Sequence, residues 1–291
     1  MFSVPVSFSF GFNLVSDATR PYILHEFAAN GCKHLLLTGS DISRIMENRD
    51  CAALFRQQMA NEGMSYCDAH APFGPWLDPA CPVAEARPEM ILRHKLSMMI
   101  SASMGVKTIT IHTGSEPKHP DYPLEVQFDC LKRSMEELLP FAESLGMTIC
   151  LENIWYQLNT PERLLAVKQE FPTDALGFCY DSGHAHLMAK GWKSPESRPM
   201  LAWGSTTPAW DDHILEKMLP HVVNCHLHDN HGVQDEHLIP GLGDIDWKSE
   251  ISLLKKAPRL QVVTCEISPI KTRSAIRDMC ESMVRIGEIE G

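Results

Sequence analysis

The chain has 291 residues, 44% of them hydrophobic, enough for one large core or at most two smaller ones. Its formal charge of −11 argues against a generic nucleic-acid-binding surface, though not against a local basic or metal-rich cleft. There is no run of 18 or more apolar residues, so no membrane span is indicated.

The N-terminal stretch "MFSVPVSFSFGFNLVSDATR" lacks a positively charged start and a small-residue cleavage site, and reads as a first strand and loop. Short β-branched or apolar runs then alternate with longer helix-like segments. The expected strands are "VSFSF" (6–10), "HLLLT" (34–38), "MSYCDAH" (64–70), "VKTITIH" (106–112), "MTICLEN" (147–153), "LGFCYD" (176–181), "VVNCHLH" (222–228) and "QVVTCEI" (261–267). Runs this apolar suit strands covered on both faces, as in a parallel sheet. Between them "RPYILHEFAANG", "ISRIMENRDCAALFRQQMANEG", "EVQFDCLKRSMEELLPFAESLG" and "TRSAIRDMCESMVRIGEI" carry amphipathic helical spacing, several ending in a glycine that reads as a C-cap. Thr160 before Pro161, and Asp246 before "WKSEISLLKK", read as N-caps.

Eight β-then-α units in this length close most economically into a single (β/α)8 TIM barrel, an α/β domain spanning 1–291. An open doubly wound sheet would normally show a glycine-rich phosphate turn, and no GxGxxG or GxxxxGK[ST] occurs. Residues 189–212, rich in Pro, Ser and Trp, read as an extended loop after the sixth strand, long enough to cover an active-site mouth. The ten cysteines are scattered without a CxxC pair, which reads as a reduced, cytoplasmic protein.

The strand ends carry the chemistry. The third ends in His70, the fourth in His112, the fifth in Glu152 and the sixth in Asp181, with His184 three residues on; the seventh supplies His226 and His228, the eighth Glu266. A lone histidine at a strand end is more often a hydrogen-bonded structural residue than a ligand, and a lone carboxylate there is usually a cap. Six strands that each place such a residue at the same end point instead to one shared cause, because these ends converge on one rim of a barrel. Binding of a divalent cation is that cause: imidazole with carboxylate suits zinc or manganese, whereas magnesium prefers oxygen alone. Five of the 14 histidines lie between His221 and His237. Asp235 and His237 form an Asp-x-His that in extended chain turns both side chains to one face. His221 reads as a solvent-exposed residue at the strand start; His231 receives no role.

Taken in order, "HAPF", "IHTG", "LEN", "YDSGHAH", "HLHDN", "DEHLIPGLGDIDW" and "CEI", between residues 70 and 267, resemble the xylose isomerase-like TIM barrels. That group includes sugar isomerases and epimerases and the endonuclease IV class of apurinic endonucleases. Two patterns within it overlap here. The single-metal epimerase pattern implies an ion held by Glu152, Asp181, His226 and Glu266, with the two glutamates moving protons at carbon beside a carbonyl. The endonuclease pattern implies three ions: His70, His112 and Glu152 at the first, the same four residues at the second, and His184, Asp235 and His237 at the third. All nine positions hold the required residue type.

The rim loops lean towards sugar chemistry. "TGSDISRI" carries one arginine, and neither "APFGPWLDPA" nor "NHGVQ" holds a lysine or arginine, whereas a backbone-binding enzyme needs cations to neutralise phosphates. The resemblance thus implies a divalent-metal-dependent isomerase or epimerase of a sugar, sugar phosphate or polyol, working through a metal-stabilised ene-diolate, with one to three ions and a homo-oligomeric state. Glu152 and Glu266 are the expected proton carriers. His184, His228 and Trp155 are the expected substrate contacts, His184 alternatively binding an additional ion. Trp192, Trp203 and Trp210 are further stacking candidates, with packing of loop on barrel expected for at least two of the tryptophans. The alternatives are a multinuclear zinc phosphodiesterase and a non-catalytic sugar- or metal-binding barrel.

Overall fold

The computed structural model describes residues 1–114, 116–189 and 194–291. Eight parallel strands, β1 (Val6–Phe8), β2 (His34–Leu37), β3 (Ser65–His70), β4 (Thr108–Ile111), β5 (Thr148–Glu152), β6 (Leu176–Asp181), β7 (Val222–Leu227) and β8 (Val262–Cys265), pair in sequence order. β8 pairs with β1 and closes the barrel. Each observed strand falls inside its expected run, so the alternation of apolar runs and amphipathic segments located every one of them.

The helices are largely where the spacing put them, at Arg20–Ala29, Leu124–Ser144, Pro161–Glu170 and Ile276–Gly287. The segment expected as one helix from Ile42 is two, Gly39–Glu47 and Asp50–Asn61. Asn48 breaks it by turning extended, and its side-chain oxygen then accepts the Asp50 N–H at 3.1 Å. Asp246 caps the helix Trp247–Leu254, accepting N–H groups from Lys248 and Ser249. Thr160 precedes its helix in extended conformation but makes no side-chain cap bond. Gly63 and Gly146, at φ +66° and +63°, turn the chain out of a helix just before β3 and β5. Within 189–212, expected as loop throughout, the residues Arg198–Trp203 form a short helix, and Trp203 buries its ring and donates Nε1–H to the Trp155 carbonyl at 2.8 Å. Hydrophobic burial made that region local structure where its Pro and Ser content suggested none.

Apolar side chains such as Ile109, Ile149, Leu151 and Phe178 fill the core. A polar layer crosses it: Asp68, fully buried, accepts hydrogen bonds from Thr108 (2.7 Å), Thr264 (3.0 Å) and the Asn224 amide (3.1 Å). Burial pushes this carboxyl above its usual range. All ten cysteines are free, eight of them buried as small core residues. No described helix is long and apolar enough to cross a membrane.

Candidate metal centre

β5 and β6 build the centre. Glu152 is the last residue of β5, its side chain about 1% exposed, and the next residue locks the neighbouring strand: the Asn153 amide takes the Asp181 N–H (2.7 Å) and donates to the Asp181 carbonyl (3.0 Å). Asp181 ends β6 and caps the helix Ser182–Met188, its Oδ1 accepting the His184 N–H at 2.6 Å. That cap fixes the carboxylate and swings the His184 imidazole over Glu152, Nδ1 to Oε1 3.0 Å.

The other strands complete the ring. Nε2 of His112, beyond β4, lies 2.9 Å from Glu152 Oε2, and Nε2 of His70, ending β3, is 2.9 Å from that nitrogen. His70 donates its Nδ1–H to the Ala71 carbonyl at 2.8 Å, which leaves Nε2 as the free lone pair facing inwards. From β7, His226 Nδ1 stands 3.2 Å from Glu266 Oε2 and 3.6 Å from Glu152 Oε1. Beyond β7, His237 Nε2 lies 3.0 Å from Asp235 Oδ2, and its Nδ1–H donates to the Glu266 carbonyl at 2.6 Å. His237 holds φ +54°, a left-handed conformation rare for a residue with a Cβ, of the kind that concentrates at functional sites.

The electrostatics call for positive charge. Burial alone would raise Glu152, yet His112 and His226 hold its carboxyl well below the usual range. Glu266 and Asp235 are likewise depressed against the pull of burial, mainly by His226 in the first case and by His237 and His184 in the second. In return His184 rises to about 10 and His237 to about 9, although burial opposes both. His112, by contrast, is lowered by burial. Both oxygens of Glu152, both ring nitrogens of His226, His184 Nδ1 and Asp235 Oδ1 are buried without a hydrogen-bond partner. Orphaned buried acceptors are costly, and a divalent cation would take up the Glu152 oxygens and the His226 nitrogen that faces Glu266. Donor atoms of Glu152, Asp181, His226 and Glu266 all lie within 4.8 Å of one another, as do those of His70, His112 and Glu152. These residue types fit zinc or manganese.

One expectation changes in this geometry. His228, expected as a substrate contact, is fully buried, and its Nε2 turns to Asp181 Oδ2 at 3.1 Å. The third cluster accordingly centres on His228, with Asp235 and His237 on one side and Asp181 and His184 on the other, while His184 Nε2 stands 3.8 Å from Asp235. A cavity of about 730 Å³ opens over the centre, lined by Glu152, His184, Glu266, Phe73 and Trp155 among others. Trp155 meets the His184 ring edge-on at 4.8 Å and Phe73 lies 4.6 Å from the His112 ring. Trp203 is buried and bonded to the Trp155 carbonyl, neither it nor Trp210 is among the lining residues, and Trp192 lies outside the described residues. His221, expected in solvent, is half-buried with its ring edge against Phe178, and His231 pairs with Glu236 at 2.9 Å on the surface.

Sequence reasoning passed over Asp229. Its buried carboxylate gathers the N–H groups of Asn230 (2.9 Å), Gly241 (2.8 Å), Ile245 (3.2 Å) and the Trp247 indole (2.8 Å). It thereby ties down both ends of the loop that delivers Asp235 and His237. The signal was present in "HLHDN", where a carboxylate follows directly on a strand end and precedes a loop rich in backbone donors.

A family model described as a xylose isomerase-like TIM barrel matches residues 27–284. Among solved structures, a D-tagatose 3-epimerase-like protein superposes with TM-score 0.74 at 20% identity, covering 97% of this chain and 96% of that one. D-psicose 3-epimerase in the presence of D-fructose gives 0.73 at 12% identity, over 97% and 99%. The IOLI protein with a bound zinc atom gives 0.67 at 17% identity, over 96% of each chain. At these identities the likeness shows a shared fold.

Proposed function

The chain belongs to the xylose isomerase-like TIM barrel family, and from that premise we propose that it is a divalent-metal-dependent isomerase or epimerase of a small sugar or polyol. The observation that supports this most is the meeting of Glu152, Asp181, His226 and Glu266 donor atoms within 4.8 Å under an open cavity. A cation held there would polarise a carbonyl and its neighbouring hydroxyl and so acidify the C–H between them.

The chain's own residues supply the rest. Glu152 and Glu266 both line the cavity, Glu152 about 1% and Glu266 18% exposed, and each stays ionised well below neutrality. Either can take a proton from carbon into a carboxylate oxygen and return it to the neighbouring carbon, which gives the isomer; passing that proton through solvent to the other glutamate, which then delivers it to the opposite face, gives the epimer. His184 lines the cavity, where its ring can donate to a substrate oxygen and steady negative charge developing there. Trp155 and Phe73 provide apolar walls for the C–H faces of a sugar.

The test is deuterium incorporation from D2O beside the carbonyl of ketose and aldose substrates with manganese or zinc present. Exchange should vanish with chelator, and Glu152→Gln or Glu266→Gln should lower it by about 10²–10⁴-fold while the protein stays folded. Near-normal turnover of either variant under saturating metal contradicts the mechanism. A second reading, a multinuclear phosphoester hydrolase, draws support from the His70, His112 and Glu152 cluster, which shares Glu152 with the four-residue centre. Two or three tightly bound ions per chain, with nicking of abasic duplex DNA, would favour it; one ion favours the isomerase.

A further inference from the structure

The His228 ring does not reach the cavity, and nothing in the proton-transfer scheme uses it. It is nevertheless fixed on several sides. Its backbone N–H and carbonyl both pair with the Ser182 hydroxyl, at 3.1 and 2.9 Å. Its ring stacks on His237 with centroids 4.0 Å apart and planes 17° from parallel. Its other flank rests on Gly183, where an added Cβ would lie 2.0 Å from the ring's Cε1. So held, Nε2 faces two carboxylates, Asp181 Oδ2 at 3.1 Å and Asp235 Oδ1 at 3.9 Å, while Nδ1 has no partner. With only acceptors in front of it, Nε2 carries the ring proton and donates it to Asp181.

We infer that His228 is a positioning residue for the metal centre: its Nε2–H fixes Asp181 Oδ2. Asp181 is then held from four directions. Asn153 holds its backbone N–H and carbonyl, the His184 N–H holds Oδ1, and His228 holds Oδ2. A ligand carboxylate oriented before the ion arrives loses less freedom on binding, and loss of such an outer partner typically costs 10- to 100-fold in metal affinity. Stacking on His237, whose Nε2 lies 3.0 Å from Asp235, links Asp181 to the other flank of the rim. This role rests on the metal-dependent reading above.

The experiment compares manganese and zinc affinity, by chelator competition, in the full chain carrying His228→Leu or His228→Gln. The two replacements are close in volume, but only glutamine keeps an N–H donor near the Nε2 position. Leu should bind metal roughly 10- to 100-fold more weakly and Gln should recover most of that loss, with metal-free thermal melts reporting that both fold. Gly183→Ala, which pushes the ring off Asp181 without touching His228, should weaken binding in the same direction and serves if the Leu variant does not fold. The absorption spectrum of the cobalt-loaded protein should shift in the Leu variant and return in Gln. If wild type and the Leu variant bind metal alike, or if Gln loses as much as Leu, His228 does not act as a donor to Asp181. If wild type itself binds no metal, the failure lies with the metal-dependent reading.

Discussion

Glu152 shows how much a single carboxylate can be made to do by its surroundings. Four imidazoles approach it, from His70 (3.7 Å), His112 (2.9 Å), His184 (3.0 Å) and His226 (3.6 Å), and each comes from a different β/α unit. Burial without those rings would leave a neutral carboxylic acid; with them the group is an anion at any ordinary pH. Glu250 is the opposite case. It is half-buried beside Glu216 and Asp246, and its carboxyl is pushed up to about 7, chiefly by desolvation, while it accepts a hydrogen bond from Tyr180 at 2.7 Å. In the unfolded chain a glutamate titrates near about 4.3, so the folded protein binds this proton more tightly. The stability that comes from holding it is complete below the unfolded value and is lost as pH rises through about 7. Thermal melts should therefore show wild type losing stability between about pH 5 and 8, with Glu250→Gln flattening the decline and melting higher than wild type at the upper end. Parallel curves for the two proteins would contradict that environment for Glu250.

At the scale of elements, the strands do two jobs: they pack and they aim. Every strand was legible because a β-branched, apolar run bounded by turn residues has few other uses, and the rim residues were legible because they end those runs. Less was legible where the next contact decides the outcome. His226 and His228 share a face by the two-residue period of β7, yet one meets Glu152 and Glu266 while the other leaves the strand, docks on Ser182 and turns to Asp181. Nothing local in "CHLHDN" separates them. The break at Asn48 and the helix at Arg198–Trp203 were hidden for the same reason, since a side-chain cap and a burial site in the tertiary structure settled each. The loop from Asp229 to Trp247 is the clearest dependence of site on element. Replacing Asp229 with Ala would strand four N–H donors, three of backbone and one of indole. A loss of about 3 kcal/mol or more in unfolding free energy is expected, together with early proteolysis within 230–246 and weakened metal binding. A variant as stable and protease-resistant as wild type would show that the loop is held by other means.

Over the whole molecule, closure of the sheet turns a one-dimensional pattern into a ring. Residues that lie up to about 200 positions apart in sequence become neighbours, because β3 through β8 all end at one pole. The opposite requirement is met lower in the barrel, where Asp68 is surrounded by hydroxyl and amide donors and needs no ion. The contrast separates a carboxylate placed for structure from those placed for chemistry: Asp68 is met by hydroxyl and amide donors, whereas the Glu152 oxygens face imidazole nitrogens that can themselves ligate an ion. The most direct test is an anomalous-scattering map of crystals soaked in manganese or zinc. A peak ligated by Glu152, Asp181, His226 and Glu266 is the expected result; a map with no density among those four side chains, or with the ion bound elsewhere, would contradict the account.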